Sequence, residues 1–178
     1  MSDAAVDPRY PIGRFKPLTS LDEAQRGELV DTIRQFPEEL ELVLRTLPAE
    51  ALDRPYRDGG WTIRQLVHHV ADSHMNAYIR FRLALTEDHP TIRPYDQGGW
   101  ANLPDASRDP LTPSLRILEG VHARWSSLMR STPAEAFSRT LHHPESGDMT
   151  LDTLLQLYAW HGRHHLAHIR RAEVVPSV

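Results

Sequence analysis

One stretch limits the fold more than any other. Tyr158-Ala159-Trp160-His161-Gly162-Arg163-His164-His165-Leu166-Ala167-His168-Ile169 places four of the chain's 11 histidines within eight residues. It follows a helix-start signal, Thr150-Leu151-Asp152-Thr153, and no proline interrupts it before Pro176. On a helix, residues four apart lie on one face, about 40° apart around the axis. His161 and His165 therefore point the same way and can grip one metal ion. His164 and His168 have the same spacing, and His161/His164 and His165/His168 are pairs three apart. The apolar stripe breaks the tie. Leu151, Leu154, Leu155, Tyr158 and Ile169 recur with helical spacing and define a core face. His165 falls inside that stripe and His161 on its shoulder. His164 falls on the far side with Leu157 and Trp160, and His168 about a turn past His165. The favoured pair is His161 and His165, with His164 and His168 as pocket or outer groups.

A chain of 178 residues is long enough for one domain, 1–178, with its own core. Its net charge of −4, with no basic tail or stripe, argues against a nucleic-acid partner. No apolar run reaches the roughly 18 residues that span a bilayer, so no membrane role is expected. The first residues show no basic segment followed by an apolar one, and a cytoplasmic location is the expectation. The chain has no cysteine, which removes disulfides, thiolate ligands and a cysteine nucleophile together. A metal site here must use histidine and carboxylate.

Residues 1–18 read as an irregular arm. A capping box at Ser20-Leu21-Asp22-Glu23 opens a first helix with Leu29, Ile33, Phe36, Leu40, Val43, Leu44 and Leu47 inward. Pro37 should kink or break it, and Pro48 ends it. Thr62-Ile63-Arg64-Gln65 is a second capping box, opening a helix to about Glu87. Ile63, Leu66, Val67, Val70, Ala77, Phe81 and Leu85 form its apolar face. Beside them runs a polar stripe of His69, Ser73, Asn76 and Arg80, the pattern of a helix lining a wet cavity. His74, on the apolar stripe, and His68, on the opposite flank, rival His69 as a third ligand, and spacing cannot rank them. Residues 88–112, carrying Arg93, Tyr95, Asp96 and Trp100, read as an ordered loop over the cavity. A third helix, with Pro113 in its first turn, runs to about Arg130. Another loop, around residues 142–147, leads to the last helix, and no strand-like alternation lasts long enough to count. The expected fold is all-α, a four-helix bundle with a long loop between the second and third helices.

With these residues in view the chain resembles the DinB/YfiT-like metalloproteins. The stretches that carry the likeness are Tyr10-Pro11-Ile12-Gly13, Pro55-Tyr56-Arg57-Asp58-Gly59-Gly60-Trp61-Thr62, His68-His69-Val70-Ala71-Asp72-Ser73-His74-Met75-Asn76, Tyr78-Ile79-Arg80-Phe81, Arg93-Pro94-Tyr95-Asp96 and the closing histidine segment. The resemblance implies a bundle with a three-histidine metal site, the ligands being His69, before x-x-Asp-Ser, and the H-x-x-x-H pair His161 and His165. It also implies zinc or nickel as the metal, a homodimer, and a metal-dependent hydrolase.

Three imidazoles leave an open coordination position, the mark of a catalytic site. A water there supports hydrolysis of a small-molecule substrate. A thiol there supports the alternative, an S-transferase using bacillithiol or mycothiol, as in some relatives. A non-catalytic metal-binding protein is the third reading. Asp72, three residues after His69, is a candidate to orient that ring or accept a proton. Asn76, Arg80 and Arg93 are candidates to hold a polar or anionic substrate.

Overall fold

The computed structural model describes residues 7–174, with side chains placed as far as Arg171. Residues 1–6 of the expected arm, and Pro176, lie outside the described residues. Helix α1 (Glu23–Thr46) is capped by Asp22, whose carboxylate accepts from Gln25 N while Gln25 Oε1 accepts from Asp22 N. The box thus sits two residues past Ser20, because Leu21 is drawn into the core ahead of the first turn. Helix α2 (Ile63–Thr86) starts at the Thr62/Gln65 box, as its sequence predicts. The long loop that follows is not without structure. Asp96 caps a short α3 (Gln97–Ala101), and Pro104 opens an equally short α4 (Pro104–Ser107). Helix α5 (Thr112–Ser131) carries Pro113 in its first turn. The expected second loop is instead an antiparallel hairpin, β1 (Thr140–His143) and β2 (Gly147–Thr150), turning at Gly147 with φ +79°. Strands of four residues are too short for alternation to register in sequence. Helix α6 (Leu151–Val174) opens where Thr150 Oγ1 accepts from Thr153 N at 3.1 Å.

The four long helices form the bundle, with α1 and α2 each packed against α5 and α6. Arg26 of α1 grips Asp152 of α6 through two bonds of 2.8 and 2.9 Å. Two apolar clusters fill the interior. One surrounds Phe81, Trp125, Leu154 and Tyr158. The other surrounds Phe36, Leu40, Val70, Leu118 and Leu166. On α2, α5 and α6 the chain passes from one cluster to the other through a histidine: His74, His122 and His161. A polar layer therefore divides the core.

Helix α1 runs through Pro37 without the break that a proline can cause. A proline lacks the N–H that would bond the carbonyl four residues back, here that of Ile33. His122 Nδ1–H, from α5, donates to that carbonyl instead.

Gly162 lets α6 approach α1 beside the histidine layer. A Cβ there would lie 2.9 Å from Phe36 Cδ2, and Phe36 is itself stacked between α2 and α5 on His74 and His122. Alanine would gain up to about 1 kcal/mol of helix propensity, but overpacking a filled core costs about 1–3 kcal/mol. Gly162→Ala should therefore lower the thermal midpoint. A variant more stable than the parent would show that Phe36 yields freely.

Candidate metal centre

The polar layer holds more imidazole than the ligand motif alone. His69 projects from α2 and is buried, His165 of α6 is buried, and His161 keeps part of its surface open to solvent. One ring nitrogen from each of the three lies within 4.8 Å of the others. His161 Nε2 and His165 Nε2 face each other at 3.2 Å. The ring of His69 stands 5.4 Å from that of His161 and 5.1 Å from that of His165. Burial disfavours the imidazolium form throughout. It lowers His69 to about 4 and holds His161 and His165 well below the ordinary histidine value, neighbouring histidines adding to the effect. Neutral rings with converging lone pairs are the donor set that a borderline divalent ion requires, so the residues present fit a metal.

Two other groups share this spacing among the described residues. In the exposed one, Asp148 already binds His142 at 2.6 Å and His89 at 3.4 Å. The other, His164/His165/His168, is buried beneath the N-terminal arm. There Trp160 stacks on His164 with centroids 4.4 Å apart, and Phe15 packs on Trp160. His164 lies outside the His69/His161/His165 group, and the arm covers its ring through Tyr10 and the Phe15–Trp160 pair. Its Nδ1 has no hydrogen-bond partner among the described residues.

Loop residues complete the walls. Tyr56 N donates to Trp61 O, closing a turn in which Gly59 adopts φ +63°. A Cβ on Gly60 would meet Tyr56 and Arg57 at 2.9 and 2.8 Å. This tight return lays Trp61 on His69 (4.8 Å) and Tyr56 on His168 (4.1 Å). A cavity of about 240 Å³ reaches His161 and is lined also by Ser73, Arg80, Tyr158, His143 and Glu145. A larger groove of about 620 Å³ runs past Tyr78, Arg82 and Arg124 and contains none of the histidines.

The remaining candidates are dispersed. Arg80 lines the cavity and donates from Nη2 to the Arg93 carbonyl at 3.2 Å, so the loop is tied to α2. The Arg93 side chain is exposed. Asn76 donates to Asp72 O one turn back on its own helix. Asp72 is half-buried, and no hydrogen bond joins it to His69. Desolvation, with Asp105 nearby, raises its carboxyl to about 6. His68 bridges to Ser114 Oγ and Asp109 O. His74 does not join the three, but meets His161 Nδ1 at 3.1 Å through its Nε2. Sequence reasoning missed His122, fully buried on α5; its place on the Leu118–Trp125 stripe was the available signal. It also missed the hairpin's His143 and Glu145 as cavity walls.

A helical bundle with a buried histidine cluster beside a small cavity defines a class of α-helical proteins equipped to hold a metal. The chain belongs to the DinB superfamily, whose model matches residues 32–169. It is 50% identical over 163 residues to a Bacillus cereus protein, spanning 92% of this chain and 94% of that one. It is 44% identical over 166 residues to YfiT of Bacillus subtilis, spanning 93% of each. Both names propose a metal-dependent hydrolase. The solved structure of YfiT superposes with a TM-score of 0.92 at 43% identity, over 95% of this chain and 97% of that one. It is described as "a probable metal-dependent hydrolase with an unusual four-helix bundle topology". Among the described residues no helix is long and apolar enough to cross a membrane.

The buried histidines set a pH dependence. In the unfolded chain they protonate near ~6.5, whereas His69, His122 and His168 are held to about 4 in the fold, chiefly by burial. Between those values the unfolded state binds more protons, so stability falls as pH falls through the window. Asp72, raised to about 6, acts in the opposite sense and offsets part of this. Chelator-stripped protein should lose thermal stability steadily from about pH 6.5 towards about pH 4. A flat midpoint across that range would contradict the burial.

Proposed function

We propose that the chain is a metal-dependent hydrolase holding one divalent ion, zinc or nickel, on His69, His161 and His165. The observation that carries this reading is the convergence of three neutral imidazoles, two of them Nε2 to Nε2 at 3.2 Å, beside a cavity. The names of its relatives support it. When bound, such an ion supplies Lewis acidity towards a substrate oxygen and lowers the pKa of a water. The side chains do the rest. Burial keeps the three rings neutral at neutral pH, so each retains one lone pair for a metal. Arg80, tethered to the Arg93 carbonyl on the cavity wall, pairs with a polar or anionic group of the substrate. Asp72 titrates close to neutrality and is assigned as the proton acceptor. Asn76 and Arg93 stand further out and complete the polar face turned to the substrate. The cavity of about 240 Å³ suits a small molecule.

His161→Ala and His165→Ala should each lose most bound metal in elemental analysis of the purified protein. His164→Ala should retain it, because that ring is not among the three whose nitrogens converge with His69. Equal losses in all three would refute the ligand set. Turnover of an ester and amide panel in ¹⁸O-labelled water should place the label in product, stop with chelator and return with zinc or nickel. A rate that consumes an added low-molecular-weight thiol would instead assign an S-transferase to the same residues. Full activity in metal-free protein would remove the metal from the mechanism.

A further inference from the structure

Three buried histidines, His74, His122 and His168, have no part in the reading above. Each is hydrogen-bonded towards one of the α6 ligands, and the bonds form two lines. The first runs from His161 Nδ1 to His74 Nε2 (3.1 Å), from His74 Nδ1 to His122 Nε2 (2.8 Å), and from His122 Nδ1 to the Ile33 carbonyl. The second runs from His165 Nδ1 to His168 Nδ1, a longer contact of 3.5 Å, and from His168 Nε2 to the Pro8 carbonyl at 3.2 Å.

The direction of every bond follows from its far end. A carbonyl only accepts, so His122 must carry its proton on Nδ1. A neutral imidazole has one N–H, so His122 Nε2 accepts, and His74 Nδ1 must donate to it. His74 Nε2 then accepts in turn, and His161 Nδ1 must donate. The only lone pair left to His161 is on Nε2. The same steps apply from Pro8. His168 donates from Nε2 and accepts on Nδ1, so His165 donates from Nδ1 and keeps its lone pair on Nε2. Neutrality is secured by packing. His74 and His122 are 1% and 0% exposed, lie nearly coplanar with ring centroids 4.9 Å apart, and rest against Phe36, with no carboxylate bonded to either among the described residues. His168 is 2% exposed and lies under Tyr56.

We infer that these two carbonyl-anchored histidine lines fix His161 and His165 as Nδ1–H tautomers and leave both Nε2 lone pairs facing each other at the metal centre. His74, His122 and His168 are thus positioning residues. The inference deepens the proposed function and rests on it for the identity of the ligand. It also accounts for the 3.2 Å contact. With both protons held on Nδ1, neither Nε2 can donate to the other, and both lone pairs would be available to a metal ion. Groups behind metal-binding histidines commonly act in this way, setting tautomer and ring orientation, and their removal weakens metal binding by about 10–100-fold.

His122 provides the sharpest test because it touches neither ligand. In His122→Phe the anchor is lost, and His74 is free to turn its proton to Nε2 and push that of His161 off Nδ1. His122→Gln keeps one donor and one acceptor and should preserve the line. Two readouts apply: ¹⁵N-histidine NMR of the metal-free protein, which reports tautomers without metal or activity, and zinc affinity by chelator competition. Wild type and H122Q should show Nδ1–H at His161 and His165. H122F should show Nε2–H at His161 and bind zinc about 10-fold or more weakly. Nε2–H at either ligand in metal-free wild type would overturn the inference, even if H122F fails to fold. So would an H122F with zinc affinity and tautomers unchanged. Nδ1–H at both in wild type that binds no zinc would support the two lines while refuting the metal reading, so the two failures are distinguishable.

Discussion

The structure depends on a single constraint: an imidazole buried in a protein core must stay neutral, and a neutral ring has one nitrogen that gives and one that takes. An unmet buried polar group costs about 1–3 kcal/mol, so seven buried histidines among the described residues cannot be placed independently. The fold orders His74, His122, His165 and His168 by bonding ring to ring and ending each line on a backbone carbonyl. His68 follows the same rule on the outer flank, between a serine hydroxyl and the Asp109 carbonyl. The two apolar clusters lie on either side of this layer. The long helices bring it together, and Phe36 covers it.

Much of this was legible in the sequence, because helix signals are local. The Thr62/Gln65 box, the stripe on α6 and the bundle itself follow from residues within a few turns of each other. The HxxxH face was legible for the same reason. What was not legible depends on approach in space. His122 is one histidine in an otherwise apolar stripe, and its meaning comes from His74, 48 residues earlier, and from Ile33, 89 residues earlier. The burial of His164 depends on an arm more than a hundred residues away. The hairpin was hidden by its brevity.

The motif stretches occupy an intermediate position. Pro55-Tyr56-Arg57-Asp58-Gly59-Gly60-Trp61 stands out in the sequence, but composition gives no reason for it. The turn does. Its chain reverses tightly enough to need Gly59 at positive φ and no Cβ at Gly60, and the result is an aromatic ring laid on His69 and another on His168. One loop therefore touches both a proposed ligand and one of the histidines behind the other ligands. Arg93-Pro94-Tyr95-Asp96 acts in the same way on the cavity side. Asp96 caps α3, Tyr95 packs on Trp100, and the Arg93 carbonyl holds Arg80.

Pro37 is where the sequence rule and the structure disagree most usefully. A proline in mid-helix is read as a break because it strands a carbonyl and crowds the preceding turn. Here α1 continues through it, and the stranded carbonyl, that of Ile33, is the acceptor for His122 Nδ1–H. In a helix without that proline the oxygen is already bonded to the N–H of the residue four positions on, and it is a poorer anchor for a ring from another helix. The local cost of the proline thus has a non-local return. It frees one acceptor at the level of the core where α5 presents a histidine. Local rules that fail in a stable fold tend to fail at functional sites. In this chain the exception in α1 lies three histidines away from the Nε2 of His161.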